Sequence, residues 1–129
     1  MCRQVPQLKM KLWIDMGGKN AFGMGSAALL RGVDQTGSLA GAAKALGMSY
    51  RAAWGRIRKI EERLGTNVLI KRGGNKSGYD LSFEGQAFLE AYEALQKSVE
   101  EVAQRRFNDL FADLIKRGQK ESVSQSAAE

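Results

Sequence analysis

Histidine is absent from this chain of 129 residues, cysteine and proline each occur once, and no apolar run approaches the roughly 20 residues of a membrane span. With Cys2 alone near the N-terminus, an internal disulfide framework is excluded and a reducing compartment is expected. A metal site built from histidine or cysteine within one chain is equally unexpected, and no residue cluster calls for a cofactor. The N-terminus lacks the apolar stretch of a signal peptide, so the chain reads as cytoplasmic with no membrane partner. No nucleophile stands beside a base, and the carboxylates fall mostly on solvated helical faces. An enzyme is therefore not expected.

Positive charge is present but unevenly placed. The formal net charge is +6, and between Arg51 and Lys76 eight basic residues stand against two acidic ones. Residues 77–129 reverse the balance, with six basic against ten acidic. A positive field confined to one stretch points to a polyanion-binding face rather than to a solubility coat. The length suits one domain with an extension.

That basic stretch begins within Gly37–Gly65, which reads as two short helices joined by a tight turn. Ser38 is placed to cap the first helix, on which Leu39, Ala42, Ala43 and Leu46 share a stripe, and Gly47 is placed to end it. Ser49 caps the second, roughly Tyr50 to Leu64. There, Ala53, Trp54, Ile57, Ile60 and Leu64 fall on one side, and Arg51, Ala52, Gly55, Arg56, Lys59 and Glu62 on the other. An apolar back with a small, donor-rich front is what a helix entering a DNA major groove needs. An ordinary helical hairpin with a solvated basic face has the same pattern.

Upstream, Leu8, Met10, Leu12, Ile14 and Met16 alternate with Lys9, Lys11, Trp13 and Asp15, which predicts a half-buried strand. Gly17-Gly18-Lys19-Asn20 is a turn, with Ala21–Phe22 as a short return strand. Trp13 on the outer side is either a partly covered surface residue or part of a partner interface. Ser26 is the expected cap of a first helix reaching about Gln35, its Ala27, Leu29, Leu30 and Val33 facing a core and Thr36-Gly37 closing it.

Downstream, Asn67–Lys71 and Tyr79–Leu81 bracket the loop Arg72-Gly73-Gly74-Asn75-Lys76-Ser77-Gly78. Two strands around a glycine-rich basic loop make a hairpin, and directly behind a helix-turn-helix such a hairpin is a wing, offering Arg72 and Lys76 to phosphates or an adjacent minor groove. The loop is not a nucleotide-binding P-loop, because Lys76-Ser77 precedes Gly78 instead of following the required glycine. Ser82 is expected to cap a last helix from about Phe83 to Arg117. Along it Phe88, Tyr92, Leu95, Val99 and Val102 step as in a coiled coil, and Phe107, Leu110, Phe111 and Leu114 continue the seam after a phase shift. So long a stripe outruns a domain of about 75 residues, so a second copy of the chain is the expected partner. The alternative is a helix folded back on its own domain near Gln104-Arg105-Arg106.

The stretches Thr36-Gly37-Ser38, Ala42-Ala43-Lys44, Gly47-Met48-Ser49-Tyr50 and Ala53-Trp54, with Leu81-Ser82 and Gly85, resemble the N-terminal DNA-binding domain of the molybdate-responsive ModE regulators. The Ser-Tyr-x-x-Ala-Trp spacing favours ModE over the LysR-type domains, which share the scaffold and to which Ile57-Arg58-Lys59-Ile60-Glu61 is also similar. The resemblance spans roughly Leu8 to Leu114. It implies DNA binding and transcriptional regulation, with Ser49, Tyr50 and Arg51 where base edges are nearest, Arg51 reading a guanine with two hydrogen bonds, and Arg56, Lys59, Arg72 and Lys76 on phosphates. Trp54 is expected in the core. Molybdate-sensing members carry C-terminal oxyanion-binding domains, and Gly118–Glu129 is too short to build one, so no small-molecule effector is expected within this chain.

The expected fold is mainly α with small β. It comprises a loose segment 1–7, a winged helix-turn-helix with an N-terminal β-hairpin over 8–82, a long C-terminal dimerisation helix over 83–117, and a disordered tail over 118–129. The expected function is that of a homodimeric, sequence-specific regulator binding double-stranded DNA at a pseudo-palindromic site. The alternatives are a small oxyanion-binding (molybdate or tungstate) or molybdenum-delivery protein on the same fold, and a protein-interaction adaptor using the long helix.

Overall fold

A computed structural model describes residues 6–73 and 77–128, with side chains as far as Gly118. Among the described residues the elements run β1 (Ile14–Met16), β2 (Lys19–Phe22), α1 (Met24–Thr36), α2 (Leu39–Ala45), α3 (Tyr50–Leu64), β3 (Leu69–Lys71), β4 (Tyr79–Leu81) and α4 (Phe83–Ala128). Lys11–Leu95 make one unit, and a second takes in α4 from Gln96 onward. Each is described by itself.

In the first unit, β1 and β2 pair antiparallel about Gly17-Gly18, both at positive φ (61° and 77°), the tight turn whose twist matches paired strands. β1 is shorter than the alternation from Leu8 predicts. β2 has four residues and Ile14 already pairs with Phe22, so residues before Ile14 have no ladder to join. Leu12 instead gives its carbonyl to the Tyr92 hydroxyl at 2.6 Å and packs on the core.

The helix α1 starts at Met24, two residues before the predicted cap. Its N-cap is Gly23, which has no side chain to bond the first turn, and Ser26 lies inside the helix. Its other end is as expected: Gly37 takes φ 71° and its N–H donates to the Val33 carbonyl, while Thr36 Oγ1 donates to the Gly32 carbonyl at 2.7 Å. Ser38 Oγ accepts from the Gly41 N–H (3.0 Å) and Ser49 Oγ from the Ala52 N–H (3.1 Å), so both predicted caps form. Leu46 differs from expectation. It is the C-cap of α2 and 45% exposed, because α2 ends at Ala45 and the backbone leaves the helical stripe there.

The core joins α1 (Leu29, Leu30, Val33), α2 (Leu39, Ala42), α3 (Ala53, Ile57, Ile60), Val68 and the start of α4 (Leu89, Tyr92). Phe22 lies at its centre, edge-on to Phe88 at 4.8 Å and to Tyr92 at 5.1 Å. Burying a side chain of this kind is worth about 1.5–3 kcal/mol, so these few residues carry much of the fold. Arg31 of α1 bonds Glu93 of α4 and also Asp34 at 2.8 Å. The hydrogen bond to Glu93, with the attraction of both carboxylates, holds its pKa above the ordinary guanidinium value.

Of the predicted α4 seam, Tyr92 is thus a core residue of the first unit and Phe88 packs partly buried against that core, since Phe22 lies within reach of both. In the second unit α4 is continuous to Ala128, past the Arg117 at which the sequence reading stops it. Gly118 is the one helix breaker in that stretch, and its alanines, glutamines and lysine favour helix. Val102, Leu110 and Leu114 are 50–57% exposed there, and Phe107 stacks on Phe111 at 5.0 Å.

Candidate nucleic-acid interface

The turn between α2 and α3 is closed by backbone bonds, Met48 N–H to the Ala43 carbonyl (3.0 Å) and Gly47 N–H to the Lys44 carbonyl (3.1 Å). This fixes the direction in which α3 leaves α2. Ala53, Ile57 and Ile60 then anchor the back of α3 in the core, and Tyr50, Arg51, Ala52, Gly55, Arg56, Arg58, Lys59 and Glu62 remain exposed on the rest of its surface. The predicted division of the helix into back and front is therefore observed.

At the start of α3, Ser49 has its hydroxyl engaged as the cap. Arg51 is exposed, with no hydrogen bond or ion pair among the described residues. Tyr50 is 49% exposed and stands perpendicular to Trp54 at 6.2 Å, and Trp54 in turn meets Tyr79 of β4 at 5.2 Å. Trp54 is half-buried and packed against the core, as expected, but it also ties the front of α3 to the hairpin behind it. That tie between residues 25 positions apart has no local sequence signature.

The hairpin of β3 and β4 pairs Leu69 with Leu81 and Lys71 with Tyr79, and the Tyr79 N–H reaches the Gly37 carbonyl at 3.1 Å, docking it on the end of α1. It is pinned again where the Ser82 hydroxyl donates to the Asn67 carbonyl (2.6 Å) and accepts from the Gly85 N–H (2.9 Å). Glu61 accepts from the Val68 N–H at 2.8 Å. Arg72 lies against Gly37 and pairs with Asp80 at 2.9 Å, so this guanidinium is engaged inside the wing. Lys76 lies outside the described residues.

The other two predicted contacts, Arg56 and Lys59, are exposed and also line a groove. Together with Ala52, Gly55 and Arg63 they form one wall of this groove of about 820 Å³, whose other walls are the β1–β2 hairpin and the start of α1. Arg63, to which no sequence pattern assigns a role, donates to the Asn20 carbonyl and fastens α3 to that hairpin. Lys11 and Trp13 line the same groove.

Residues 26–86 match the family described as bacterial regulatory helix-turn-helix protein, lysR family. This segment is LysR-like. It spans α1 to the first turn of α4, the three helices and the wing together. Over 80 residues the chain is 32% identical to the molybdenum-pterin-binding protein MopB of Rhodobacter capsulatus, an overlap of 60% of this chain and 30% of MopB. Among solved structures, a LysR family transcriptional regulator, VV2_1132, is 23% identical with a TM-score of 0.49, covering 63% of this chain and 26% of that one. The CbnR DNA-binding domain in complex with DNA is 25% identical with a TM-score of 0.44, covering 80% and 94%. The match and the fold agree on a helix-turn-helix; the fold adds the β3–β4 wing behind it and a long helix α4 that runs past the matched residues.

Proposed function

We propose that this chain is a DNA-binding transcription regulator of the ModE type, acting in the cytoplasm as a homodimer on a pseudo-palindromic site. The observation that carries the reading is the front of α3: Arg51 exposed at the first turn of a capped helix, on a back of Ala53, Ile57 and Ile60 that is buried. A rigid helix with an unengaged arginine at its start suits bidentate contact with guanine in the major groove. The LysR-like match over residues 26–86 supports the DNA-binding, regulatory part of this reading. The Tyr50–Trp54–Tyr79 contacts give the Ser-Tyr-x-x-Ala-Trp motif a physical purpose, that of setting helix and wing at one angle.

The dimer rests on the apolar residues Val102, Leu110, Phe111 and Leu114, which are exposed in the single chain at helical spacing. Paired recognition helices would then engage half-sites about 34–36 Å apart. No helix among the described residues is long and apolar enough to cross a membrane. Ser49 and Tyr50 border the base edges, Arg56, Lys59 and Lys76 meet phosphates, and Arg72 holds the wing in place.

Gel-shift titration on duplex DNA at several salt concentrations tests this. Log K is expected to fall linearly with log salt, and Arg51→Ala is expected to weaken cognate binding while leaving scrambled DNA nearly unchanged. Equal losses on both sequences would remove Arg51 from base reading.

A further inference from the structure

The groove between α1, α3 and the β1–β2 hairpin has the chemistry of an anion site. Its lining includes Lys11, Arg56, Lys59 and Arg63 and no aspartate or glutamate. None of the four is in an ion pair among the described residues. Into this groove opens the N-terminus of α1, a helix of 13 residues with no side-chain cap and no acidic residue in its first turn.

The first N–H groups of a helix have no partner within it, and the helix dipole makes that end positive. Here the guanidinium of Arg56 lies against Gly25, on the same positive end. Two like charges facing each other without an internal counter-charge leave a place for an anion. Ser26 marks that place independently. It is nine-tenths buried, it lines the groove, and its hydroxyl has no hydrogen-bond partner among the described residues. No fully buried polar side-chain atom among the described residues lacks a partner, so the Ser26 hydroxyl keeps access to the groove and is a free donor on the wall it shares with the cations.

We propose that this groove seats a phosphate oxyanion, held by the first-turn amides of α1, the Ser26 hydroxyl and the Arg56 and Lys59 side chains. A groove of about 820 Å³ is much larger than a single tetrahedral anion, which fits a phosphodiester of a passing nucleic-acid backbone better than a free ion. The inference extends the DNA-binding reading and gives α1 a contact with the duplex backbone in addition to α3. Gly25 matters because a side chain there would displace Arg56 from its place over the helix end.

The test uses the full chain, with amide NMR of Gly25, Ser26 and Ala27 during addition of duplex DNA and, separately, of inorganic phosphate at matched ionic strength. Ser26→Asp places a built-in carboxylate at the seat. Ala28→Asp adds the same charge on the exposed side of the same turn and serves as control. The expected result is that duplex DNA shifts the three amides in the wild type, and that Ser26→Asp, not Ala28→Asp, flattens the salt slope by about 0.9 per protomer.

Shifts produced by inorganic phosphate and abolished by Ser26→Asp would support the seat with a free anion as its occupant. If the chain ignores duplex DNA yet phosphate moves these amides, the DNA reading fails and the seat stands. If duplex binds without moving them and phosphate moves nothing, the seat is overturned and the DNA reading survives. Should Ser26→Asp not fold, the wild-type shifts and Ser26→Ala give the same decision.

Discussion

One helix, α4, behaves in two ways along its length. Up to Tyr92 its apolar residues are used within the chain: Leu89 is fully buried, and Phe88 and Tyr92 meet Phe22 edge-on. From Val102 onward the same kind of residue at the same kind of spacing is half exposed. Apolar residues recur at helical spacing in both halves, with one shift of phase between them, so an apolar stripe states that a face will be covered and does not state by what. The covering surface is a matter of topology, and here only the first half of the stripe finds one within its own unit.

That contrast predicts where mutations act. Phe22→Ala should cost about 3–5 kcal/mol of stability by urea unfolding, since it empties the place where β2 meets α4. Replacing Leu110 and Phe111 by lysine should leave that unfolding midpoint nearly unchanged. It should instead give a monomer by light scattering and lower duplex affinity by about 100-fold, through loss of the second contact. If the pair of lysines unfolded the Lys11–Leu95 unit instead, the division of α4 into two roles would be wrong.

Smaller effects probe the front of the first unit. Arg51→Ala should reduce discrimination at one base pair per half-site by about 1–3 kcal/mol in competition gel shifts. Ser38→Ala should cost about 1 kcal/mol by thermal melting, the worth of one helix cap, with specificity unchanged.

What could be read from sequence follows the same boundary between local and distant causes. Ser38, Ser49 and Ser82 cap helices because the cap and the bonded N–H lie three residues apart, and Gly17-Gly18 turns the chain because only those two residues must bend. The start of α1 was not legible, because Gly23 caps it without a side chain to announce it. The alternation from Leu8 to Leu12 was misleading, because a strand needs a partner and β2 is too short to supply one. Arg72 reads as a phosphate contact, and its ion pair with Asp80 and its place against Gly37 have no local signature. The groove of Arg56, Lys59 and Ser26 joins three elements that no local pattern connects.

The central claim is that α3 meets duplex DNA with its exposed front, twice, at a spacing set by a second copy of the chain. Selection of bound sites from random duplexes by the full chain tests it most directly. The account predicts an inverted repeat whose half-sites have centres about 10–10.5 base pairs, or a multiple of that, apart. Enrichment of a single unrepeated element, or of nothing at low salt, would contradict it.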